Sequence, residues 1–165
     1  NTANPHAVPS DRVIEKGDFV LMDYGAGYCD YRSDMTRTVV MGEPTQEQLD
    51  LYALVRRTHE ECVAAIHPGV EGNDIFKLSK KIIGDAGYGD YYNHGLGHGV
   101  GIDIHELPNF NRSKNTIEVG SVITMEPGVY LPGVGGVRLE DYGVVTENGY
   151  EPFTKTPHDL HVIDC

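Results

Sequence analysis

The thirteen residues from His94 to Glu106, HGLGHGVGIDIHE, hold three histidines (His94, His98 and His105) among four glycines. Glycine lets a backbone bend and lets a ligand approach closely. Imidazoles beside such a backbone suit metal binding or proton transfer. The plainer reading is a glycine-rich loop with satisfied surface histidines, and three imidazoles so closely spaced weigh against it. Four carboxylates stand in or beside apolar runs elsewhere: Asp23 in FVLMDYG, Asp34 in SDMTRTVVM, Glu126 after VITM, and Glu140 within GVRLED. A buried, unpaired carboxylate costs several kcal/mol by order of magnitude.

Each acid alone admits a simpler account. Asp23 could be a turn residue, Asp34 a partner of Arg37, and either glutamate a partner of Arg138. Together, four carboxylates and an imidazole make a hard, oxygen-rich donor set that suits Mn²⁺, Co²⁺ or Zn²⁺ better than a thiolate site would. Four carboxylates exceed what one catalytic zinc uses, whereas two ions bridged by carboxylates would employ them all.

The elements that must position these groups can be read from local patterns. Residues 19–25 form a short apolar run closed by Gly25, a buried strand. Residues 33–41 are rich in Thr and Val, a second strand, and the short AGYCDYR stretch between them suits a hairpin connection. Asp23 and Asp34 would then come from neighbouring strands. Thr45 to Gln48 has capping-box spacing, and Leu51, Leu54, Val55, Cys62 and Ile66 fall on one helical stripe that Pro68-Gly69 ends. A second helix is predicted through Ile75, Leu78, Ile82 and Ile83, stopping near Gly84 or Gly87. Residues 120–126 read as a strand ending at Pro127-Gly128, and 134–146 as one long strand before an Asn148-Gly149 hairpin turn. Strands, two helices, then strands predict an α+β fold with helices packed on one face of a sheet. A duplicated helix–helix–strand unit, its first helices missing, would give this order weak internal symmetry.

Composition narrows the class. The 165 residues suffice for one domain with a real core. A net charge of −12, from 13 basic and 25 acidic residues, argues against a nucleic-acid partner. Most of the acids make a solvated surface, and a few converging on cations would be tolerated there. Cys29, Cys62 and Cys165 are widely spaced without a CxxC pair, which fits a reducing compartment and no disulfide framework. No apolar run of membrane-spanning length occurs, and no signal-peptide pattern opens the chain. The start at Asn1, without Met, is expected of an excised piece of a longer polypeptide.

The motifs resemble those of the creatinase/aminopeptidase P/prolidase (M24) family of metallopeptidases. DYGAGYCDYRSDMTRT at 23–38 resembles its two-aspartate motif, and HGLGHGVGIDIHE at 94–106 its proline-peptidase signature. MEPGVY at 125–130 and GVRLED at 136–141 resemble its two glutamate motifs, and NPHAVP at 4–9 the segment of an upstream histidine. They occur in family order across nearly the whole chain.

The resemblance implies a pita-bread fold lacking its first helices, with residues 1–165 as a single C-terminal catalytic domain, truncated at its N-terminal side. It implies two divalent ions, Mn²⁺ first and Co²⁺ or Zn²⁺ as alternatives. Asp23, Asp34, His98, Glu126 and Glu140 would be the metal ligands, with Asp34 and Glu140 bridging. His6, His94 and His105 would contact substrate or move protons, Arg138 would orient a carboxylate or the substrate, and Glu126 would handle the proton of the attacking water. The implied activity is hydrolysis of Xaa-Pro peptide bonds by a hydroxide between the two ions, on a peptide with proline at its second position. A cytoplasmic homodimer without nucleic-acid or membrane partners is implied as well. Methionine aminopeptidase-like activity, creatinase-like metal-free chemistry and an inactive pita-bread binding fragment are the alternatives; the form of the histidine motif favours the proline-specific branch. The family's domains carry helices before NPHAVP and a separate N-terminal domain. A chain without them is expected to expose an apolar sheet face, dimerise, or be held by a partner segment.

Overall fold

An antiparallel pair founds the first sheet. In the structure, a computed structural model that describes residues 2–112 and 114–164, β1 (Phe19–Tyr24) leads through a small hairpin, β2 (Gly27–Tyr28) and β3 (Tyr31–Arg32), into β4 (Met35–Met41). β1 and β4 pair antiparallel, with Asp23 opposite Thr36 and Phe19 opposite Val40. The period of two puts Thr36, Thr38 and Val40 on one face of β4, and all three are buried. Cys29 and Asp30, at the hairpin tip, take left-handed backbone with φ of 48° and 69°.

The helices follow their local signals. Thr45 caps α1 (Gln46–Ala64) with both reciprocal hydrogen bonds of a capping box, Gln48 N donating to Thr45 Oγ1 at 3.2 Å and Thr45 N to Gln48 Oε1 at 2.9 Å. The predicted stripe faces inward: Leu51, Val55, Cys62 and Ile66 are buried. Gly69, at φ +86°, closes the turn into α2 (Gly72–Asp85), which buries Ile75, Ile82 and Ile83.

Eight short strands follow: β5 (Gly97–Gly99), β6 (Glu106–Phe110), β7 (Val122–Met125), β8 (Gly128–Leu131), β9 (Gly135–Arg138), β10 (Asp141–Thr146), β11 (Gly149–Pro152) and β12 (His161–Ile163). They build a five-stranded sheet in the order β11-β10-β7-β5-β6 and a β8-β9 pair, while β12 joins β4 in parallel to complete the first sheet. α1 packs on β7, β8, β9 and β11, and α2 on α1 and β6. One core fills the space between, including Leu51, Ile83, Phe110, Ile123, Met125, Val137 and Val145.

The single strand expected over 134–146 is two. β9 and β10 belong to different sheets, and the chain crosses between them at Leu139-Glu140, where Glu140 forms an isolated antiparallel bridge with Thr36. β10 alternates buried and half-buried residues, whereas β9 after Gly135 is buried throughout, and no turn residue marks the crossing between them. The strand read over 120–126 is present, but the chain turns back at once into β8, and β12 carried no readable signal. The two described cysteines are free, Cys29 exposed and Cys62 buried; Cys165, like Asn1, lies outside the described residues. Val8, Val13 and Ile14 are exposed near the start of the chain, as are Met22 and Tyr24 on β1. No helix among the described residues is long and apolar enough to cross a membrane.

Two substitutions gauge these constraints by urea unfolding. Thr45→Ala removes the cap and should cost about 1 kcal/mol. Gly97→Ala puts a methyl 2.2 Å from the Thr124 carbonyl oxygen on the neighbouring strand, and should cost about 1–3 kcal/mol as the backbone is forced apart. Equal, negligible effects would contradict this packing.

Candidate functional site

Four carboxylates and four histidines line one cavity of about 570 Å³. Glu140 enters it from the crossing between sheets, where Thr36 Oγ1 donates to its Oε2 at 2.6 Å. Asp34 lies just before β4, two positions from Thr36 and so on the same face. His98 sits in the middle of β5, its backbone N donating to Thr124 Oγ1 at 3.0 Å. Glu126 follows β7, its N donating to Leu96 O at 2.8 Å. The glycines around His98 serve strand packing rather than ligand access. A Cβ at Gly97 would lie 2.2 Å from Thr124 O, and one at Gly99 2.3 Å from Leu107 O.

Asp34, His98 and Glu140 each offer one ligand atom, all within 4.8 Å of one another. His98 Nε2 lies 3.6 Å from Asp34 Oδ2 and 3.4 Å from Glu126 Oε1. Asp23 differs from the expectation of a buried acid. It sits at the rim, its side chain 49% exposed, and accepts a hydrogen bond from Arg138. Arg138 Nε is 3.9 Å from Glu126 Oε2. Arg37 does not pair with Asp34; it points to the other side of its strand and pairs with Asp141 at 2.7 Å. His6 and His105 line the cavity mouth and are exposed, the His105 ring centroid 4.3 Å from that of His98.

Hydrogen bonding sets the imidazole tautomers. His98 Nδ1 faces the Gly99 carbonyl at 3.0 Å. A carbonyl only accepts, so Nδ1 carries the proton and Nε2 turns its lone pair toward the carboxylates. His94 is held likewise: Nδ1 donates to Gly95 O at 2.6 Å, and Nε2 accepts from Tyr130 OH at 2.9 Å. Tyr130 OH in turn accepts from Arg138 at 3.1 Å.

The electrostatics leave a deficit of positive charge. Burial, then the charge of Asp23, pushes Asp34 up to about 6. Burial pushes Glu126 up to about 8 against the opposing pull of Arg138. Burial, with Glu126 and Asp34 as neighbours, holds Glu140 well above the carboxylate range. Burial also lowers His98, and takes His94 down to about 4. Among the described lining residues, Arg138 is the one guanidinium or ammonium facing four carboxylates. A lone pair and several buried acids converging on one space, with so little positive charge, fit divalent cations, whose charge would hold the acids ionised. The donor set of carboxylate oxygens with one imidazole is chemically apt for them.

Sequence reading missed three supporting groups. Thr36 orients Glu140, Thr124 anchors His98, and Tyr130 links His94 to Arg138. For Thr36 a signal existed, since the strand period puts it on the face of Asp34. Tyr130 and Thr124 meet their partners only through the fold.

The Metallopeptidase family M24 matches residues 1–147. The chain is 46% identical over 160 residues to an Xaa-Pro dipeptidase of Pyrococcus furiosus, covering 96% of the chain and 46% of that protein. Among solved structures, a prolidase from Pyrococcus horikoshii OT3 superposes with a TM-score of 0.93 at 43% identity, over 96% of the chain and 46% of its own. An X-Pro aminopeptidase from Thermotoga maritima superposes with a TM-score of 0.95 at 36% identity, over 98% and 46%. The chain thus spans about half the length of the curated relatives it matches, and it shares the pita-bread architecture expected from its motifs.

The raised acids predict a pH dependence of stability for cation-free protein. Folded Glu126 keeps a proton that the unfolded chain releases near its ordinary value of about 4.3. Its contribution is full below that value and is lost as pH climbs through about 8. The depressed histidines oppose this only up to about pH 6.5, their unfolded value. Stability in chelator should therefore fall between about pH 6.5 and 8, more steeply than in Glu126→Gln. Identical slopes for the two proteins in urea titrations would contradict the assignment.

Proposed function

The chain belongs to metallopeptidase family M24, and from that premise we propose that it is the bond-cleaving domain of a hydrolase acting on Xaa-Pro peptide bonds. The observation that carries the proposal is the meeting of Asp34, His98, Glu126 and Glu140, far apart in sequence, in one cavity with Asp23 at its rim. These five side chains would hold two divalent ions, which when bound would lower the pKa of water and polarise a carbonyl.

The chain's own residues would do the rest. Glu126, with Oε1 3.4 Å from His98 Nε2, would be the base of the reaction, its carboxylate kept ionised by the cations. In this role it takes the proton of the attacking water and delivers it to the departing proline nitrogen as the C–N bond breaks. That nitrogen belongs to a tertiary amide without N–H, so the site must accept a ring and offer it no acceptor. Pro5, Tyr24 and Ile104 supply apolar surface on the cavity wall. His105, whose ring lies beside that of His98, would donate to the developing oxyanion. Arg138 holds Asp23, and through Tyr130 it keeps the His94 ring in one tautomer. His6 lines the same mouth and would meet the substrate there.

Mn²⁺ as the resident ion, with Co²⁺ or Zn²⁺ as alternatives, belongs to this proposal. So does the reading of the chain as one catalytic domain. A cytoplasmic location rests on the two free thiols, and homodimer formation on the exposed Val8, Val13 and Ile14. Similarity runs to proteins described as dipeptidase and as aminopeptidase, so the proposal concerns the bond, and both peptide lengths enter the assay.

With Mn²⁺ added, the protein should cleave Ala-Pro or Ala-Pro-Gly and leave Met-Ala intact. Glu126→Gln should lower kcat by on the order of 10²–10⁴-fold. His98→Ala or chelator should abolish turnover. Undiminished turnover in chelator would refute the metal-dependent reading, and preference for Met-Ala would move the chain to the methionine-specific branch.

A further inference from the structure

A second cluster of ligand-type side chains lies outside the cavity. His59 of α1, Asp141 of β10 and His158, in the segment before β12, each offer one ligand atom, all within 4.8 Å of one another. Glu140 and Asp141 are consecutive, and their side chains leave the backbone on opposite faces. Glu140 faces the cavity, whereas Asp141 faces α1 and the C-terminal segment.

His59 is the anomaly in this cluster. Its residue is 2% exposed, and neither ring nitrogen has a hydrogen-bond partner. Buried polar atoms normally have partners, and an imidazole buried without one is destabilising. Nε2 lies 3.5 Å from Asp141 Oδ2 without forming a hydrogen bond. From the other side, His158 Nε2 meets the same oxygen at 2.7 Å. The two rings stand edge to face, their centroids 4.9 Å apart. Ligand atoms around a tetrahedral zinc ion, with bonds of about 2.0–2.2 Å, are separated by roughly 3.3 Å. The two measured separations bracket that value.

Asp141 is already prepared for such a role. Its Oδ1 accepts from Arg37 at 2.7 Å, which fixes the carboxylate with Oδ2 toward the rings. Arg37 also donates to the carbonyls of Thr36, Glu140, Thr156 and Pro157, so its charge is spread over acceptors other than Oδ2. A first-sphere carboxylate held by an outer hydrogen bond is the usual support of a metal ligand.

We propose that His59, Asp141 and His158 form a metal site separate from the cavity, taking one Zn²⁺ or a similar divalent transition ion. Two imidazoles and one carboxylate leave a fourth position for water. The His158 side chain, 27% exposed, provides the entry path. On binding, the proton held between His158 Nε2 and Asp141 Oδ2 leaves for Nδ1 or for solvent, and the Nε2 lone pair turns to the ion. The ion would satisfy His59 Nε2 and tie α1, β10 and the C-terminal segment together. This site stands independently of the peptidase reading.

The test is anomalous diffraction from crystals of the intact protein equilibrated with Zn²⁺, recorded on both sides of the zinc edge. A peak bonded to His59, Asp141 Oδ2 and His158 is expected, and its absence would overturn the proposal. Metal analysis gives a second reading in solution. His158→Asn, a change at a partly exposed position, should bind one Zn²⁺ fewer per chain while keeping its Mn²⁺-supported Ala-Pro hydrolysis. Zn²⁺ added to Mn²⁺-saturated protein should raise the melting temperature of the wild type and not that of the variant. An unchanged zinc count would show that the cluster is only a packed imidazole pair on a carboxylate.

Discussion

Two backbone hydrogen bonds join the sheets on which everything else is mounted. Thr36 N donates to Glu140 O at 3.4 Å and Glu140 N to Thr36 O at 3.1 Å, an isolated bridge between β4 and the start of β10. Because neighbouring residues in extended chain face opposite ways, this bridge sends Glu140 and Thr36 to one side and Asp141 and Arg37 to the other. Two guanidinium groups secure it. Arg37 donates to the carbonyls of both Thr36 and Glu140 on one side, and Arg138 donates to Thr36 Oγ1 on the other. The cavity acids and the His59–Asp141–His158 cluster are therefore two faces of one junction.

The junction carries an electrostatic burden. Desolvation and mutual repulsion raise Asp34, Glu126 and Glu140 together, while Arg138 is shared among Asp23, Tyr130 and Thr36. Buried like charges are tolerated when protons or cations neutralise them. A core of packed apolar side chains, from Leu51 and Val55 on α1 to Ile123 and Met125 on β7, supplies the stability that lets the acids be kept so close. The hydrogen bonds from Thr36 Oγ1 to Glu140 and from His98 Nδ1 to the Gly99 carbonyl mean that these two groups stand arranged before any ligand arrives.

Much of this was legible in the residues themselves. The capping box at Thr45, the stripe of α1 and the Thr- and Val-rich run of β4 are local signals, set by interactions within a few positions, although α1 ends at Ala64, ahead of Pro68-Gly69. The types of the site residues were also legible: an imidazole in a glycine-rich run and four acids beside apolar strands state a hard donor set before any fold is known. Family motifs in order supplied which of them belong together.

Tertiary structure alone decided the rest. The division of 134–146 into two strands depends on a partner, Thr36, about a hundred positions away, and no turn residue marks the break. The choice of Asp141 over Asp34 as the partner of Arg37, and the place of Asp23 at the rim instead of the interior, follow from which face each strand turns to the junction. His59 and His158 are unremarkable in sequence, one within a helix and one in an irregular segment, and no spacing relates them to Asp141. Local propensity acts over a few residues, whereas burial, charge pairing and shared ligands depend on distances that the chain closes only by folding.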